Sequence, residues 1–337
     1  MKEIRKTARE LMTGFCRVCP VCNGKACAGE VPGMGGIGTG ASFRANFEAL
    51  ARHTFNMRLV HDITEPDTTG ELLGIKLSIP VLAAPIGGVS FNMGGKRTEN
   101  EYITAIIEGC RKGGIIGCTG DGVPSFIHEA AFEAIAAAKG HGIAFIKPWE
   151  DAELYEKLEK ARAAGASIVG MDIDAAGLIT LRKMGRPVSP RPLEKLREII
   201  VRSGAKFIVK GIMTPQDARL AFEAGAHAIV VSNHGGRVLD HTPGTADVLP
   251  EICSELKGKI PIIADGAIRT GADVLKMIAL GADAVMIGRP FSIAAMGGLA
   301  EGVQSYIESL RTELMQAMVM TATRSLKALP AGLLNGN

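Results

Sequence analysis

The stretch Glu223-Ala224-Gly225-Ala226-His227-Ala228-Ile229-Val230-Val231-Ser232-Asn233-His234-Gly235-Gly236-Arg237 decides how this chain is built. A glycine closes a helical segment at Gly225, and a small residue lets the chain turn. The run from Ala228 to Val231 is uncharged and rich in β-branched residues, so it reads as a buried strand. Gly235-Gly236 then break it into a loop that displays His234 and Arg237. An imidazole that titrates near neutrality, three residues from a fixed cation, suits binding and deprotonation of a small anion. A surface hairpin turn would explain the same string on its own. Repetition argues otherwise: AAGASIVGMDID at 163–174 and ALGADAVMIGRP at 279–290 follow the same helix–glycine–strand phrase.

Working outward, apolar β-rich runs occur at Pro80–Pro85, Gly114–Cys118, Gly142–Ile146, Ser167–Ile173, Lys206–Val209, Ala228–Val231, Ile260–Ala264 and Ala284–Ile287. Helical patterns separate them at Glu99–Lys112, Ser125–Lys139, Asp151–Ala164, Pro192–Ser203, Pro215–Ala224, Thr245–Leu256 and Gly271–Leu280, and a long one runs from about Met296 to Leu326. Eight strand–helix units predict a closed (β/α)8 TIM barrel. A doubly wound open sheet is the competing architecture, but it would show fewer units and a single glycine fingerprint.

Composition narrows the class. The 337 residues are 47% hydrophobic and 22% charged, as expected of a globular chain with a large core. The net charge of +3 is dispersed without Lys/Arg blocks, which argues against a nucleic-acid partner. No 18-residue apolar run offers a membrane span. The opening MKEIRKTARELMTG lacks the apolar core of a signal peptide, so a cytoplasmic location is expected. Seven cysteines, an odd number without a secretion signal, make a disulfide framework a poor expectation.

Residues 1–42 read as an N-terminal helical, Cys- and Gly-rich extension, and residues 43–337 as the barrel domain. An amphipathic helix over 1–15 leads into CRVCPVCNGKAC, where Cys16, Cys19, Cys22 and Cys27 follow C-x2-C-x2-C-x4-C spacing. Four clustered thiols suggest zinc or an iron–sulfur cluster, since thiolates are ligands both prefer. The spacing matches no common site closely, and free thiols packed on the barrel are the plainer alternative. Residues 29–42 hold six glycines but no preceding strand and no GK[ST], so a segment passing over a site is expected rather than a phosphate loop. A helix is predicted over 43–57.

A (β/α)8 barrel carries its chemistry at the C-terminal ends of its strands. Strand four ends in Asp172-Ile173-Asp174, strand five in Lys210-Gly211, and strand six in Ser232-Asn233-His234. Strand seven ends in Asp265-Gly266 and strand eight in Gly288-Arg289. Five consecutive strands thus bring a charged or titratable residue to one rim, although Lys210 as a solvated loop residue, Asp265 as a helix cap and Asp174 as a turn former are the ordinary alternatives. Gly266 and Gly288 stand where barrels bind phosphate through backbone N–H groups, with Arg269 and Arg289 adding charge. A phosphorylated cofactor lying across the rim follows from that arrangement.

These same residues carry a family resemblance. VKGIMTPQDA, VVSNHGGRVLD, IIADGAIRTGADVLKMIALGADAVMIGRP and VLAAPIGG resemble the FMN-dependent α-hydroxy acid oxidases and dehydrogenases, over about residues 43–325. The resemblance implies FMN as cofactor, a small L-2-hydroxy acid (lactate- or glycolate-like) oxidised to the 2-oxo acid, and a homo-oligomer. His234 resembles the family's base, Asp174 the carboxylate paired with it, and Arg237 the arginine that grips the substrate carboxylate. Lys210 resembles the lysine beside the flavin. Ala84, Pro85, Ile86 and Gly87, together with Cys118 and Ser232, match flavin contacts, and Asp265, Gly266, Arg269, Gly288 and Arg289 match the ribityl and phosphate site. The electron acceptor is left open between oxygen, a quinone and a protein, with a cluster at Cys16–Cys27 as a further route.

The chain also departs from the family. Glycine-rich sequence near Gly33 stands where a substrate-binding tyrosine is usual. Lys147 and Trp149 replace a Gln-x-Tyr motif, with Lys147 expected at the flavin and Trp149 at the substrate. Asp172 replaces a threonine of the flavin site, and Arg182 is the candidate for a second substrate arginine. Two other readings compete: an FMN barrel resembling type 2 isopentenyl diphosphate isomerase, which lacks the SNHGGR signature, and a flavoprotein electron relay or sensor.

Overall fold

A computed structural model describes residues 1–186 and 188–335. The chain opens with α1 (Lys2–Leu11), the Cys/Gly-rich loop and α2 (Ala41–Arg52), then a hairpin of β1 (Gly70–Leu72) and β2 (Ile75–Leu77). The barrel begins with β3 (Val81–Ile86), α3 (Val89–Asn92), α4 (Glu99–Lys112), β4 (Ile116–Thr119), α5 (Ser125–Ala137), β5 (Ile143–Ile146) and α6 (Asp151–Ala163). It continues through β6 (Ile168–Asp172), a 3-10 turn at Ile173–Gly177, α7 (Ile179–Lys183), α8 (Leu193–Ser203), β7 (Lys206–Ile212), α9 (Pro215–Glu223) and β8 (Ala228–Val231). It closes with α10 (Thr245–Leu256), β9 (Ile262–Ala264), α11 (Gly271–Ala279), β10 (Ala284–Ile287) and α12 (Arg289–Met320).

Strands β3 to β10 are all parallel and close on themselves, with β10 paired to both β9 and β3. All eight predicted strands are present. Each strand is apolar because both of its faces are covered. One set of side chains, including Val169, Val209, Ile229 and Val285, packs outward against the helices. The alternate set, including Leu82, Ile116, Cys118, Phe145, Ile208, Val230, Ile263 and Met286, fills the interior. Leu72 and Leu77 of the β1–β2 hairpin join the interior cluster and plug it. That hairpin was not foreseen, because its strands are only three residues long.

The two-residue period of a strand aims the site. Counting on from the interior residues, the next inward positions toward the C-terminal rim are Ala84, Lys147, Asp172, Lys210, Ser232, Asp265 and Gly288. Polar groups therefore form a layer above an apolar plug.

The terminal helix differs from expectation. It starts at Arg289, directly after β10, and stops at Met320. Pro290 sits in its first turn, where a missing N–H costs nothing. Leu299 (φ 48°) breaks it after Gly297-Gly298, and a Cβ at Gly297 would strike the Ile4 carbonyl of α1. Ala8, Met12, Val18 and Met34 of the N-terminal segment belong to the same core as the barrel helices. No described helix is long and apolar enough to cross a membrane.

Candidate active site

His234 follows β8 at φ 56°, in the left-handed region that non-glycine residues seldom adopt. Its backbone N–H donates to Ser232 Oγ at 3.0 Å, and Ser232 Oγ donates to Asp265 Oδ2 at 2.7 Å. His234 Nδ1 lies 3.0 Å from Asp174 Oδ1. Asp174 reaches it from the 3-10 turn after β6, and Gly211 makes that approach feasible. Gly211 sits at φ 107°, and a Cβ there would come within 2.6 Å of the Asp174 Cβ.

Below them lies an ion pair. Lys210 Nζ is 2.9 Å from Asp172 Oδ1, with both side chains buried. Their backbones are register partners across β6 and β7, so the strands themselves place the charges side by side. Burial opposes the Asp172 charge, but Lys210, His234 and Lys147 outweigh it and hold the carboxyl below the usual range. Burial likewise opposes the Lys210 charge, and Asp172, Asp174 and Asp265 outweigh it and hold the ammonium above its usual range. Asp265 is pushed up chiefly by burial, with Lys210 and Ser232 in opposition.

Three arginines form the opposite wall. Arg237 donates to the carbonyls of Gly33 (2.6 Å) and Gly35 (3.0 Å) and to Asn92 Oδ1 (3.0 Å). Arg289 donates to the carbonyls of Met34 (2.7 Å), Gly35 (3.3 Å) and Gly235 (3.1 Å), and it stacks on the Phe43 ring. Arg269 donates to the carbonyls of Ile268 and Cys22. Among the described residues no carboxylate pairs with any of the three. Burial, and then repulsion from Arg289, lowers Arg237 to about 10, and burial, with repulsion from Arg269, lowers Arg289 to about 10. Such unneutralised guanidinium groups are suited to anions. The glycine-rich segment comes this close because Gly236 (φ 78°) has no side chain; a Cβ there would strike the Phe43 backbone.

These groups enclose one cavity of about 290 Å³. Of the site residues proposed from sequence, Ala84, Pro85, Ile86, Gly87, Lys147, Asp172, Lys210, His234, Arg237, Asp265, Gly266, Arg269, Gly288 and Arg289 line it together. Pro32 and Met34 contribute the N-terminal wall, which agrees with a segment passing over the site.

Four expectations are corrected. Trp149 is 1% exposed and lies outside the cavity wall, its indole N–H donating to Asp121 Oδ2 at 2.5 Å. Arg182 is exposed and faces away from the cavity, while Leu178, Thr180, Leu181 and Met184 around it line the wall. Cys118 points inward but one layer too low, in the apolar plug. Ser232 is fully buried beneath the wall and acts through Asp265 and the His234 backbone.

Asp121 and Asn92 were missed. Asp121 lines the cavity and accepts from the Lys147 N–H (3.0 Å) and Lys157 Nζ (2.8 Å), while Lys147 Nζ donates to its carbonyl. It lies two residues past the end of β4, so a charged residue just beyond a strand was the available signal. Asn92 sits on a four-residue helix with no pattern to mark it.

The four N-terminal thiols are all free and partly buried. Burial raises Cys16 and Cys27, and the remaining thiols of the loop push both further up, so the four are in electrostatic reach of one another. Among the described residues, the side chains whose ligand atoms converge within 4.8 Å are Asp172, Asp174 and His234, not the cysteines.

An eight-stranded parallel barrel with a histidine, a lysine and three arginines around one cavity at its C-terminal rim is a scaffold suited to an anionic cofactor and substrate. Comparison with known proteins agrees. The family model described as FMN-dependent dehydrogenase matches residues 33–187 and 180–335, and the chain belongs to that family. It is 30% identical to L-lactate oxidase of Lactobacillus jensenii, covering 85% of this chain and 76% of the relative. It is 31% identical to glycolate oxidase of Spinacia oleracea, covering 84% of each. Crystal structures of mandelate oxidase superimpose with TM-score 0.79 at 28% identity, over 99% of this chain and 97% of that one. The chain is thus an FMN-dependent oxidoreductase of the kind acting on CH–OH groups.

The residues present fit that cofactor. Asp172 Oδ1, Asp265 Oδ1 and Arg269 Nε are buried without a hydrogen-bond partner. Asp172 Oδ1 has Lys210 beside it, but not in hydrogen-bonding alignment. Two acceptors and a donor on the wall of one cavity call for a polar ligand.

Proposed function

We propose that the protein oxidises a small L-2-hydroxy acid, lactate- or glycolate-like, to the 2-oxo acid. The observation that carries the reading is that His234, hydrogen-bonded to Asp174, lines the same cavity as Arg237. Hydrogen bonding to Asp174 keeps the proton on Nδ1 and leaves Nε2 free to accept one. Arg237 holds the substrate carboxylate, with Asn92 and the Gly33 and Gly35 carbonyls fixing its guanidinium. His234 takes a proton from the held substrate, and Asp174 stabilises the resulting imidazolium.

When bound, FMN supplies the two-electron acceptor. Ala84, Pro85, Ile86 and Gly87 offer it a backbone wall, and Lys147, Asp172, Lys210 and Asp265 a polar floor. Gly266, Arg269, Gly288 and Arg289, with the N-terminus of α12, suit its phosphate. Ser232 supports that floor from below. The cysteines Cys16, Cys19, Cys22 and Cys27 are the candidate ligands for a metal centre. A cytoplasmic location is supported by seven free thiols, and a homo-oligomer by family resemblance.

The test is an anaerobic absorption titration of the purified protein with L-lactate and with glycolate. Flavin colour that bleaches with either acid supports the reading; protein that holds no flavin after reconstitution sinks it.

A further inference from the structure

The reaction above leaves Cys16, Cys19, Cys22 and Cys27 unused. They occupy one loop between α1 and α2, and all four are partly buried there. Guanidinium groups surround that loop. Arg5 Nη2 donates to the Cys19 carbonyl at 2.6 Å and Arg9 Nη2 to the Val18 carbonyl at 3.0 Å. Arg269 Nη2 donates to the Cys22 carbonyl at 3.3 Å and lies 3.5 Å from the Cys22 sulfur. The Val18 N–H donates to Cys16 Sγ at 3.4 Å, and Val18 takes a left-handed φ of 46°, which a β-branched residue adopts only under local constraint. Two of these contacts reach sulfur, the Arg269 guanidinium at Cys22 and the Val18 N–H at Cys16, and both are partners of the kind that thiolate ligands of a metal centre take.

We propose that Cys16, Cys19, Cys22 and Cys27 ligate an iron–sulfur cluster of the [4Fe–4S] type that passes electrons from the flavin site to a one-electron acceptor protein. The site stands on the cysteines alone, and the relay rests on the function proposed above. A single zinc fits less well. Four thiolates bound about 2.3 Å from one metal stand about 3.8 Å apart, and among the described residues no three of these sulfurs lie within 4.8 Å of one another. A cubane of four irons spreads its ligands wider. The first three cysteines also share the two-residue spacing of bacterial ferredoxin runs, although the fourth comes four residues later.

Position supports the relay. Arg269 touches Cys22 and lines the cavity, and Pro32 and Met34, just beyond Cys27, line that cavity too. Oxidation of one hydroxy acid releases two electrons and two protons. The cluster accepts one electron at a time, so it transfers the pair in two successive steps, each reducing one acceptor protein, while the protons leave to solvent.

The experiment is purification of the full chain without oxygen, followed by separate assays of iron, acid-labile sulfide and FMN per chain, and electron paramagnetic resonance after dithionite reduction. A Cys19→Ser/Cys22→Ser variant is assayed alongside. We expect about four irons and four sulfides in the wild type, with a cluster signal absent from the variant. FMN content and bleaching by hydroxy acid persist in the variant, but its rate of ferricytochrome c reduction falls at least tenfold. If that variant does not fold, the wild-type iron, sulfide and resonance measurements still decide. Wild-type protein without iron and sulfide after reconstitution, with zinc alone, or with these cysteines in disulfides overturns the proposal and leaves the flavin reaction standing. A cluster in protein that binds no flavin overturns the relay and the proposed reaction together.

Discussion

Lys210 Nζ lies 2.9 Å from Asp172 Oδ1, inside the barrel and out of reach of solvent. The pair places a carboxylate against the lysine that faces the cavity, so the floor of the site is less positive than Lys210 alone would make it. Removing one partner of a buried pair leaves the other charge uncompensated, which is the costly case.

Asp172→Asn is therefore expected to destabilise the protein by about 3–5 kcal/mol at neutral pH. The Asp172 carboxyl is depressed in the folded state, so its stabilisation is complete above the ordinary aspartate range, near about 3.9. It is lost as pH falls through the lower folded value. Urea midpoints measured from about pH 7 down to about pH 4 and below should show the gap between wild type and variant narrowing only at the acid end. A gap that closes already near neutrality would contradict the pairing.

Asp174→Asn should leave FMN content intact and lower kcat/KM by about 10²–10⁴-fold, since His234 loses both its orientation and its counter-charge. Steady-state rates with an artificial acceptor measure this, and a loss under threefold would remove Asp174 from the mechanism.

Arg237→Met should raise KM for the hydroxy acid by about tenfold or more, the range for losing a hydrogen bond to a charged group. Arg182→Met, an exposed position outside the cavity, should leave KM within about twofold, as surface substitutions do. The two variants measured side by side separate the arginine that binds substrate from the one that does not.

Trp149→Phe should cost about 1–3 kcal/mol of stability, because Asp121 Oδ2 loses its indole donor in a buried setting. KM should stay within about twofold. A strong KM effect with unchanged denaturant midpoint would return Trp149 to the substrate pocket.

Much of this site is local information. The β-branched strand of Ala228–Val231 and the Gly235-Gly236 break place His234 and Arg237 on a rim loop. A residue's distance from the end of its strand, together with the period of two, was enough to aim Lys147, Asp172, Lys210 and Asp265 inward. The same rule misses Asp121, because the inward position after Ile116 and Cys118 is Gly120 and the chain has left β4 before Asp121. It failed for Trp149 because three residues beyond the end of β5 the period no longer holds, and an aspartate from the neighbouring loop captured the indole. It failed for Cys118 because depth inside the barrel depends on how the β1–β2 hairpin fills the bottom.

The amino-acid sequence by itself determined the eight-unit barrel, the rim on which the chemistry sits, and the residue types at that rim. It could do so because helix ends, strand period and apolar burial are properties of a few neighbouring residues. Only the tertiary structure decided that Asp172 and Lys210 neutralise each other, that Asp174 reaches His234 across Gly211, and that the cysteine loop packs on Arg269. Those relations join residues from different strands, or from opposite ends of the chain. Their distances are set by strand register and by the close approach that glycine allows, and neither is written in any one segment.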